Sequence, residues 1–181
     1  MYPYLRMYKE LAKFRKAPRL GFFDTHVSTH RIWPWDLDPW MELNNGRTLT
    51  LYDLGRIPMA MRMGVGQVMK ANGWGMTVAG NTTRYRRRVK LFERVTMKSR
   101  MLGWDDRFIY MEQSMWRDGE ATSHLLLRSA VVQASRGRSG IVPPSELARA
   151  FGLAPESPPL PGWVLEWRGA DAARPWPPQM A

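Results

Sequence analysis

Residues 47–63, from Arg47 to Met63, are mostly helix formers and put apolar side chains around most of a helical circumference. Leu51, Leu54, Ile57 and Met61 fall on one side, and Leu49, Tyr52, Met59 and Met63 on others. A helix that is apolar nearly all round has to be enclosed by other elements. Pro58 lies inside the run and is expected to kink or shorten it, because its ring removes one backbone donor and crowds the preceding turn. Asp53 and Arg56, three residues apart, are expected to pair, which gives Asp53 a structural role ahead of a catalytic one.

The enclosing partner is written downstream, where the hydrophobic period changes to two. Val95, Met97, Ser99 and Met101 alternate with Thr96, Lys98, Arg100 and Leu102, and Phe108, Tyr110 and Glu112 alternate with Ile109, Met111 and Gln113. Trp104-Asp105-Asp106-Arg107 and Asp118-Gly119 interrupt the pattern where hairpin turns are expected. Leu125 to Val132 reads as a further strand, and Gly21 to Trp35 as a first strand ahead of the helix. Between helix and strands, Gly64 to Gly75 reads as a short helix followed by a turn at Asn72-Gly73-Trp74-Gly75. Strands before and after one buried helix define an α+β domain.

Chemistry concentrates just before that helix. Pro34 and Pro39 make residues 36–43 irregular, and this segment carries Asp36, Asp38 and Glu42 directly ahead of Asn44 and Asn45, both favoured helix N-caps. A helix start presents unpaired N–H groups and partial positive charge. Carboxylates beside such donors suit acyl transfer: a carboxylate attacks a carbonyl or activates water, and the N–H groups stabilise the resulting oxyanion. Two acids as close as Asp38 and Glu42 in a partly dry cleft would raise the pKa of one, giving an acid and a base. The plainer alternative is that Glu42 caps the helix or pairs with Arg47.

The order Asp36-Leu37-Asp38-Pro39-Trp40-Met41-Glu42-Leu43-Asn44-Asn45, followed by Asp53 and Arg56, resembles the hotdog-fold thioesterases. The similarity is to the acyl-CoA and acyl-carrier-protein branch that includes the 4-hydroxybenzoyl-CoA thioesterase-like and THEM-type proteins, and it covers roughly residues 20 to 135. It implies a curved antiparallel β-sheet wrapped around one long central helix, and hydrolysis of an acyl-CoA or acyl-carrier-protein thioester without a cofactor or metal. By the same resemblance Asp38 is the general base or nucleophile, the amides around Asn45 and Gly46 receive the oxyanion, Glu42 assists water, and Trp40 and Asn44 contact substrate. A homodimer or dimer of dimers is implied as well. Relatives often carry His where this chain has Glu42, the plant acyl-carrier-protein thioesterases of the same branch carry Asn at Trp40, and many relatives carry Tyr at Thr48. These departures keep a second reading open, a non-catalytic hotdog module that binds an acyl chain or a partner, at a membrane surface for instance.

Composition narrows the classes. The chain has 181 residues, enough for one sizeable core. It has no cysteine, which removes disulfides, thiolate metal sites and a Cys nucleophile, and a cytoplasmic location is the simpler expectation. Its three histidines offer little to a metal; His26 and His30, four apart on a strand, share a face and are expected to be a surface or core pair. No Gly-x-Ser-x-Gly elbow, phosphate-binding loop or His-Glu-x-x-His motif occurs. The net charge of +11 admits a polyanion. Nucleic acid is not expected as a partner, since no recognised module accompanies the charge. The phosphates of coenzyme A remain, and Arg84, Arg86 and Arg88 would share one face of a strand whose other face carries Tyr85 and Arg87. Such a face either grips phosphates or is a solvated edge that discourages pairing between molecules.

Two flanking segments complete the organisation: a basic helix over residues 1–20, the domain at 21–140 and a Pro/Trp-rich extension at 141–181. Residues 1–20 carry Arg6, Lys9, Lys13, Arg15, Lys16 and Arg19 against the single acid Glu10, with Tyr2, Tyr4, Leu5, Met7, Tyr8, Leu11, Ala12 and Phe14 interleaved. This amphipathic helix either packs on the domain or contacts an anionic membrane surface. No run of about 18 apolar residues occurs, so no membrane span is expected, and the early charges argue against a secretory signal. Nine of the fourteen prolines lie from Pro143 onward. Ser145 is expected to cap a short helix reaching Phe151, with the remainder extended and some of Trp163, Trp167 and Trp176 docked on the domain.

Overall fold

A computed structural model describes residues 2–134 and 140–178. The elements in chain order are α1 (Tyr4–Phe14), β1 (His26–Arg31), a 3-10 turn (Pro34–Asp36), α2 (Asn45–Met63) and α3 (Val65–Asn72). There follow β2 (Trp74–Tyr85), β3 (Arg94–Trp104), β4 (Ile109–Arg117), β5 (Glu120–Gln133), β6 (Ile141–Val142), α4 (Pro144–Ala150) and α5 (Gly162–Ala172). All pairings are antiparallel in the order β1-β3-β4-β5-β2, and the short β6 joins β5 at Val131 and Val132. The chain leaves β1 at one edge, runs through α2 and α3, and enters the opposite edge at β2. α2 therefore lies across one sheet face, which is the wrapped arrangement that the resemblance implies.

Burial follows the alternation of the strands. Leu125 and Leu127 of β5 enter the cores around α2, while Leu126 between them packs with Tyr110 and Val164 on the other face. The second face is covered by α5, an element that the proline-rich composition hid: Trp167 packs there, whereas Trp176 is exposed. Arg128 of β5 lies over the Phe108 and Trp167 rings and pairs with Asp171 at 2.7 Å, which fixes α5 to the sheet.

α2 is one-sided rather than buried all round. Leu51, Tyr52, Leu54, Gly55, Pro58, Met59 and Met63 are buried, while Ile57 is exposed and Asp53 and Arg56 pair with each other as expected. The helix is not shortened by Pro58 but continues to Met63, where Gly64 closes it in the left-handed conformation at φ 82° and opens α3. Gly55 sets the distance between helix and sheet: a Cβ there would lie 2.6 Å from Met97 Sδ and 2.8 Å from Ser99 Oγ. Ser99 has no room to turn aside, since its hydroxyl accepts from Gln113 Nε2 at 2.7 Å, and the same Nε2 donates to the Tyr52 carbonyl at 2.9 Å.

Several boundaries depart from the pattern-based expectation. The first strand is only His26–Arg31, because Asp24 closes a turn on the Gly21 amide (2.7 Å) and the Trp33 amide is taken by Asp36. β2 begins at Trp74, so only Gly73 (φ 66°) turns the chain. α4 starts on Pro144 with Pro143 at the cap position, not on Ser145, since proline's fixed φ suits the first helical residue. The N-terminal helix packs on the domain through Met7, Leu11 and Glu10.

His26 and His30 point inward from β1. His26 accepts from Arg62 at 3.0 Å and meets the Phe14 ring edge-on, and His30 shares a 2.8 Å hydrogen bond with Ser28. Burial, then Arg62 and Lys13, push the His26 pKa down to about 4. Burial, then Arg6 and other cations, push His30 to about 3. An unfolded imidazole takes up its proton below about 6.5, so between there and about pH 4 the unfolded state binds protons that the folded state refuses. Folding stability should fall as pH falls through that window. Glu10, 4.0 Å from His30, acts in the opposite sense: burial raises its pKa, so its penalty grows as pH rises past the ordinary 4.5. Thermal denaturation across pH 7 to 4 checks this, with a shallower decline expected in His30→Gln. Gly55→Ala is expected to destabilise by about 1–3 kcal/mol in chemical denaturation, because overpacking at Ser99 outweighs the roughly 1 kcal/mol gained in helix propensity.

Candidate functional site

The segment ahead of α2 is built on Asp36. Its side chain is 0% exposed and pairs with Arg6 of α1 at 2.7 Å and Arg47 of α2 at 2.9 Å, and it also accepts from the Trp33 amide at 3.0 Å. Its own carbonyl takes the Asn44 amide at 2.9 Å. Asp36 is thus a structural anion, and Arg47 pairs with it rather than with Glu42.

From this anchor the chain makes a tight turn. Asp38 Oδ1 accepts from the Trp40 amide at 2.9 Å and the Glu42 amide at 3.2 Å, and the Asp38 amide donates to the Glu42 carbonyl at 2.8 Å. Met41 sits at φ 61°, a left-handed conformation costing a residue with a Cβ about 1–2 kcal/mol. The carboxylate of Asp38 is what holds that turn closed. Asp38 is half-buried, and its Oδ2 accepts no hydrogen bond among the described residues. Trp40 and Met41 at the tip are exposed.

α2 then opens under Asn44, whose side chain accepts from the Arg47 amide at 3.1 Å. Among the described residues no hydrogen bond reaches the amides of Asn45 or Gly46, and both residues are exposed. Asn45 is steadied through its carbonyl, which accepts from Tyr85 Oη at 3.1 Å. Asn44 is therefore occupied in capping, while Asn45 and Gly46 keep donors available.

An open cleft of about 230 Å3 lies here, lined by Glu42, Asn45 and Thr48 on one side and Tyr85, Arg86 and Arg88 on the other. Its inner wall includes Ser123, hydrogen-bonded at 2.8 Å to the buried Tyr52. Burial raises the pKa of both Tyr52 and Tyr85. Glu42 Oε1 pairs with Arg88 at 3.1 Å across the cleft mouth. Asp38 is not among the lining residues; it touches the cleft through the Glu42 amide that it holds.

The arginines do not share one strand face. β2 ends at Tyr85, and beyond it the amides of Arg86 and Arg87 both turn to the Thr122 carbonyl, at 2.8 and 3.1 Å, which breaks the alternation. Arg84 stands opposite His124 in the β2–β5 register, on the sheet face away from α2, where His124 bonds Glu112 at 3.0 Å. Arg86 and Arg88 line the cleft, and Arg84 does not. Arg87 pairs with Glu120 and Arg88 with Glu42, whereas Arg86 makes no ion pair among the described residues. The arrangement combines unfilled helix-start amides, an uncommitted guanidinium and a braced carboxylate, a set able to hold an anion and polarise a carbonyl. Tyr85, Thr48 and Ser123 carried no motif; Tyr85 lies amid the arginines and Thr48 in the first turn of α2, whereas Ser123 is brought here only by its pairing with Tyr85 across β2 and β5.

A curved antiparallel sheet on a long helix, with polar chemistry gathered at the helix start, defines the hotdog class of thioesterase-like folds. Residues 32–168 match the sequence profile of the thioesterase-like superfamily, and the chain belongs to that superfamily. Protein THEM6 of Xenopus laevis is similar, with 33% identity over 144 residues that cover 78% of this chain and 66% of the relative. The chain thus spans only part of the length of that relative. Among solved structures, YbaW of Escherichia coli, a probable thioesterase, superposes with a TM-score of 0.63 at 17% identity over 70% of this chain and 96% of that one. A Staphylococcus aureus protein solved in complex with CoA superposes with a TM-score of 0.56 at 10% identity over 81% and 95%.

Replacing Asp36 by Ala would leave two guanidinium groups facing a desolvated void. We expect a loss of about 3–5 kcal/mol in urea denaturation, with the α1 amides gaining hydrogen exchange first, because Arg6 is the link between α1 and this segment.

Proposed function

We propose that this protein hydrolyses the thioester of an acyl-CoA or acyl-carrier protein. The observation that carries the reading is the pair of amides at Asn45 and Gly46, unfilled among the described residues, next to a turn braced by Asp38 and beside Arg86, which makes no ion pair among those residues. In this reading the thioester carbonyl oxygen lies at those amides and develops negative charge there. Asp38 lies outside the cleft lining of one chain, and its Oδ2, which accepts no hydrogen bond among the described residues, would act as general base toward water or as the nucleophile on a thioester that extends past Glu42 to this turn. Glu42, fixed by Arg88, orients the water. Arg86 and Arg88 meet phosphate, Trp40 flanks the acyl entrance, and Asn44 serves by holding the helix start open. Arg84, on the other sheet face, has no part in it.

Two copies are proposed to complete the site. β2 is a twelve-residue edge strand with Met76 and Val78 exposed, a form that invites pairing with another strand. Antiparallel pairing of β2 with its own copy would set the Tyr85 end of one chain beside the Trp74 end of the other. At that end lies an apolar cavity of about 250 Å3, lined by Phe22, Met59, Met63, Met76, Met101 and Met111. Within one chain Met59 stands 14 residues along α2 from Asn45, about 21 Å away. Across the proposed pair the anion-holding cleft and the apolar cavity become neighbours, which suits a ligand with a phosphorylated head and an apolar acyl group.

The test is thiol release from a panel of acyl-CoAs by the purified protein. Turnover is expected, with Asp38→Asn lowering kcat by about a hundredfold or more and leaving acyl-CoA binding in place. Arg86→Ala should raise KM for acyl-CoA but not for the matching acyl-pantetheine. Undiminished turnover in Asp38→Asn would remove its chemical role. Tight acyl-CoA binding with no turnover by the unaltered protein would favour the non-catalytic module.

A further inference from the structure

The outward face of α1 is left over by both the fold and the cleft. The helix turns Met7, Glu10, Leu11 and Phe14 toward the domain, and Glu10 is its only acid. With that carboxylate buried, every charge left exposed from Tyr4 to Arg19 is a cation: Lys9, Lys13, Arg15, Lys16 and Arg19. The apolar residues on the outside are large. Leu5 is 88% exposed, Tyr8 76% and Tyr4 73%. Helical spacing puts Leu5, Tyr8 and Ala12 on one line, with Tyr4 on one flank and Lys9 on the other, and the exposed Arg15 and Lys16 follow in the turn that ends the helix. The patch does not end with the helix. Trp35 is 63% exposed, stacks on Trp33 at 5.7 Å between ring centres, and with Tyr2, Tyr4, Leu5, Arg6 and Arg47 surrounds an open, mainly apolar hollow of about 510 Å3. Arg6 and Arg47 are held there by Asp36, so the hollow is tied rigidly to the domain.

We propose that this face docks on an anionic lipid bilayer. Three features select a bilayer over another protein. Tyrosine and tryptophan beside a leucine suit the boundary between headgroups and acyl chains, where a ring sits with its polar edge wet. The cations flank the apolar line, so they would meet headgroup phosphates while Leu5, Tyr8 and Trp35 enter the acyl boundary. The face carries no exposed acid over Tyr4–Arg19, so an anionic surface meets no repulsion there. α1 is a peripheral anchor rather than a span: no helix among the described residues is long and apolar enough to cross a membrane.

The full chain is tested by co-sedimentation with vesicles of phosphatidylcholine alone and with a third of the lipid replaced by phosphatidylglycerol. Binding to the anionic vesicles is expected to exceed that to neutral ones by about tenfold or more and to fall with added salt. Leu5→Glu/Tyr8→Glu should lose it by about tenfold or more, and Lys9→Glu/Lys16→Glu should lose most of it. All four side chains are exposed, so both variants should melt as the unaltered protein does; a variant that melts early is replaced by Leu5→Ser or Lys9→Gln, judged by the same loss. Absence of vesicle binding, equal binding to neutral and anionic vesicles, or undiminished binding by both variants would overturn the proposal. So would lipid-free self-association abolished by Leu5→Glu/Tyr8→Glu, which would make the occupant a second copy of this chain.

Discussion

A carboxylate with no solvent-exposed surface joins three parts of this chain. Asp36 draws Arg6 from α1 and Arg47 from the first turn of α2 onto its two oxygens, and it takes the Trp33 amide as well. Desolvating an anion and two cations is costly, and the arrangement holds because every partner is present at hydrogen-bond distance. The consequence is geometric. With Asp36 fixed and its carbonyl bound to the Asn44 amide, the seven residues between them have one way to run. The strained Met41 turn, the Asp38 brace and the direction of the α2 start all inherit their positions from it.

A second set of main-chain links carries that order outward. Leu43 donates to the Val89 carbonyl at 2.8 Å, Glu42 bridges to Lys90, and the amides of Arg86 and Arg87 reach Thr122 on β5. The loop that delivers the arginines is therefore stitched on one side to the acid-bearing turn and on the other to the sheet. The arginines and the braced carboxylate belong to one rigid unit, and this is why Arg88 can hold Glu42 across the mouth although Arg88 itself is largely exposed.

What the sequence disclosed and what it hid divide along the range of the forces involved. Period-two alternation located β3, β4 and β5, and the breaks at Trp104–Arg107 and Asp118–Gly119 located their turns, because pleat and hairpin geometry are local. The helix start was legible for the same reason: Asn44 caps by reaching three residues ahead. Three acids in one short segment look alike in sequence, and nothing local says that Asp36 is buried while Asp38 braces a turn, since that depends on Arg6 thirty residues upstream. The arginine run misled through the same blindness. Alternation was extended past Tyr85, where a carbonyl from β5 ends the strand, and Arg84 and Arg86 accordingly part company. α5 escaped because its docking rests on Arg128, 43 residues from its partner Asp171.

The polarity of α2 gives the rest its sense. At its start lie open amides, Arg86 and Arg88; toward its end lie Met59 and Met63 among other methionines and Phe22. Methionine side chains are unbranched and adaptable, so a cavity lined by them accepts apolar groups of varied shape. Gly55, midway, lets the helix lie close enough on Ser99 and Met97 for both ends to be held by the same sheet. A single helix therefore separates an arginine-flanked end from an apolar end by about 21 Å. In the proposed pairing, a second chain running the other way along the exposed edge of β2 would bring those ends together for one ligand. An amphiphile with an anionic head and an apolar tail would then be read by two subunits, its head by the α2 start of one and its tail by the methionine-lined cavity of the other.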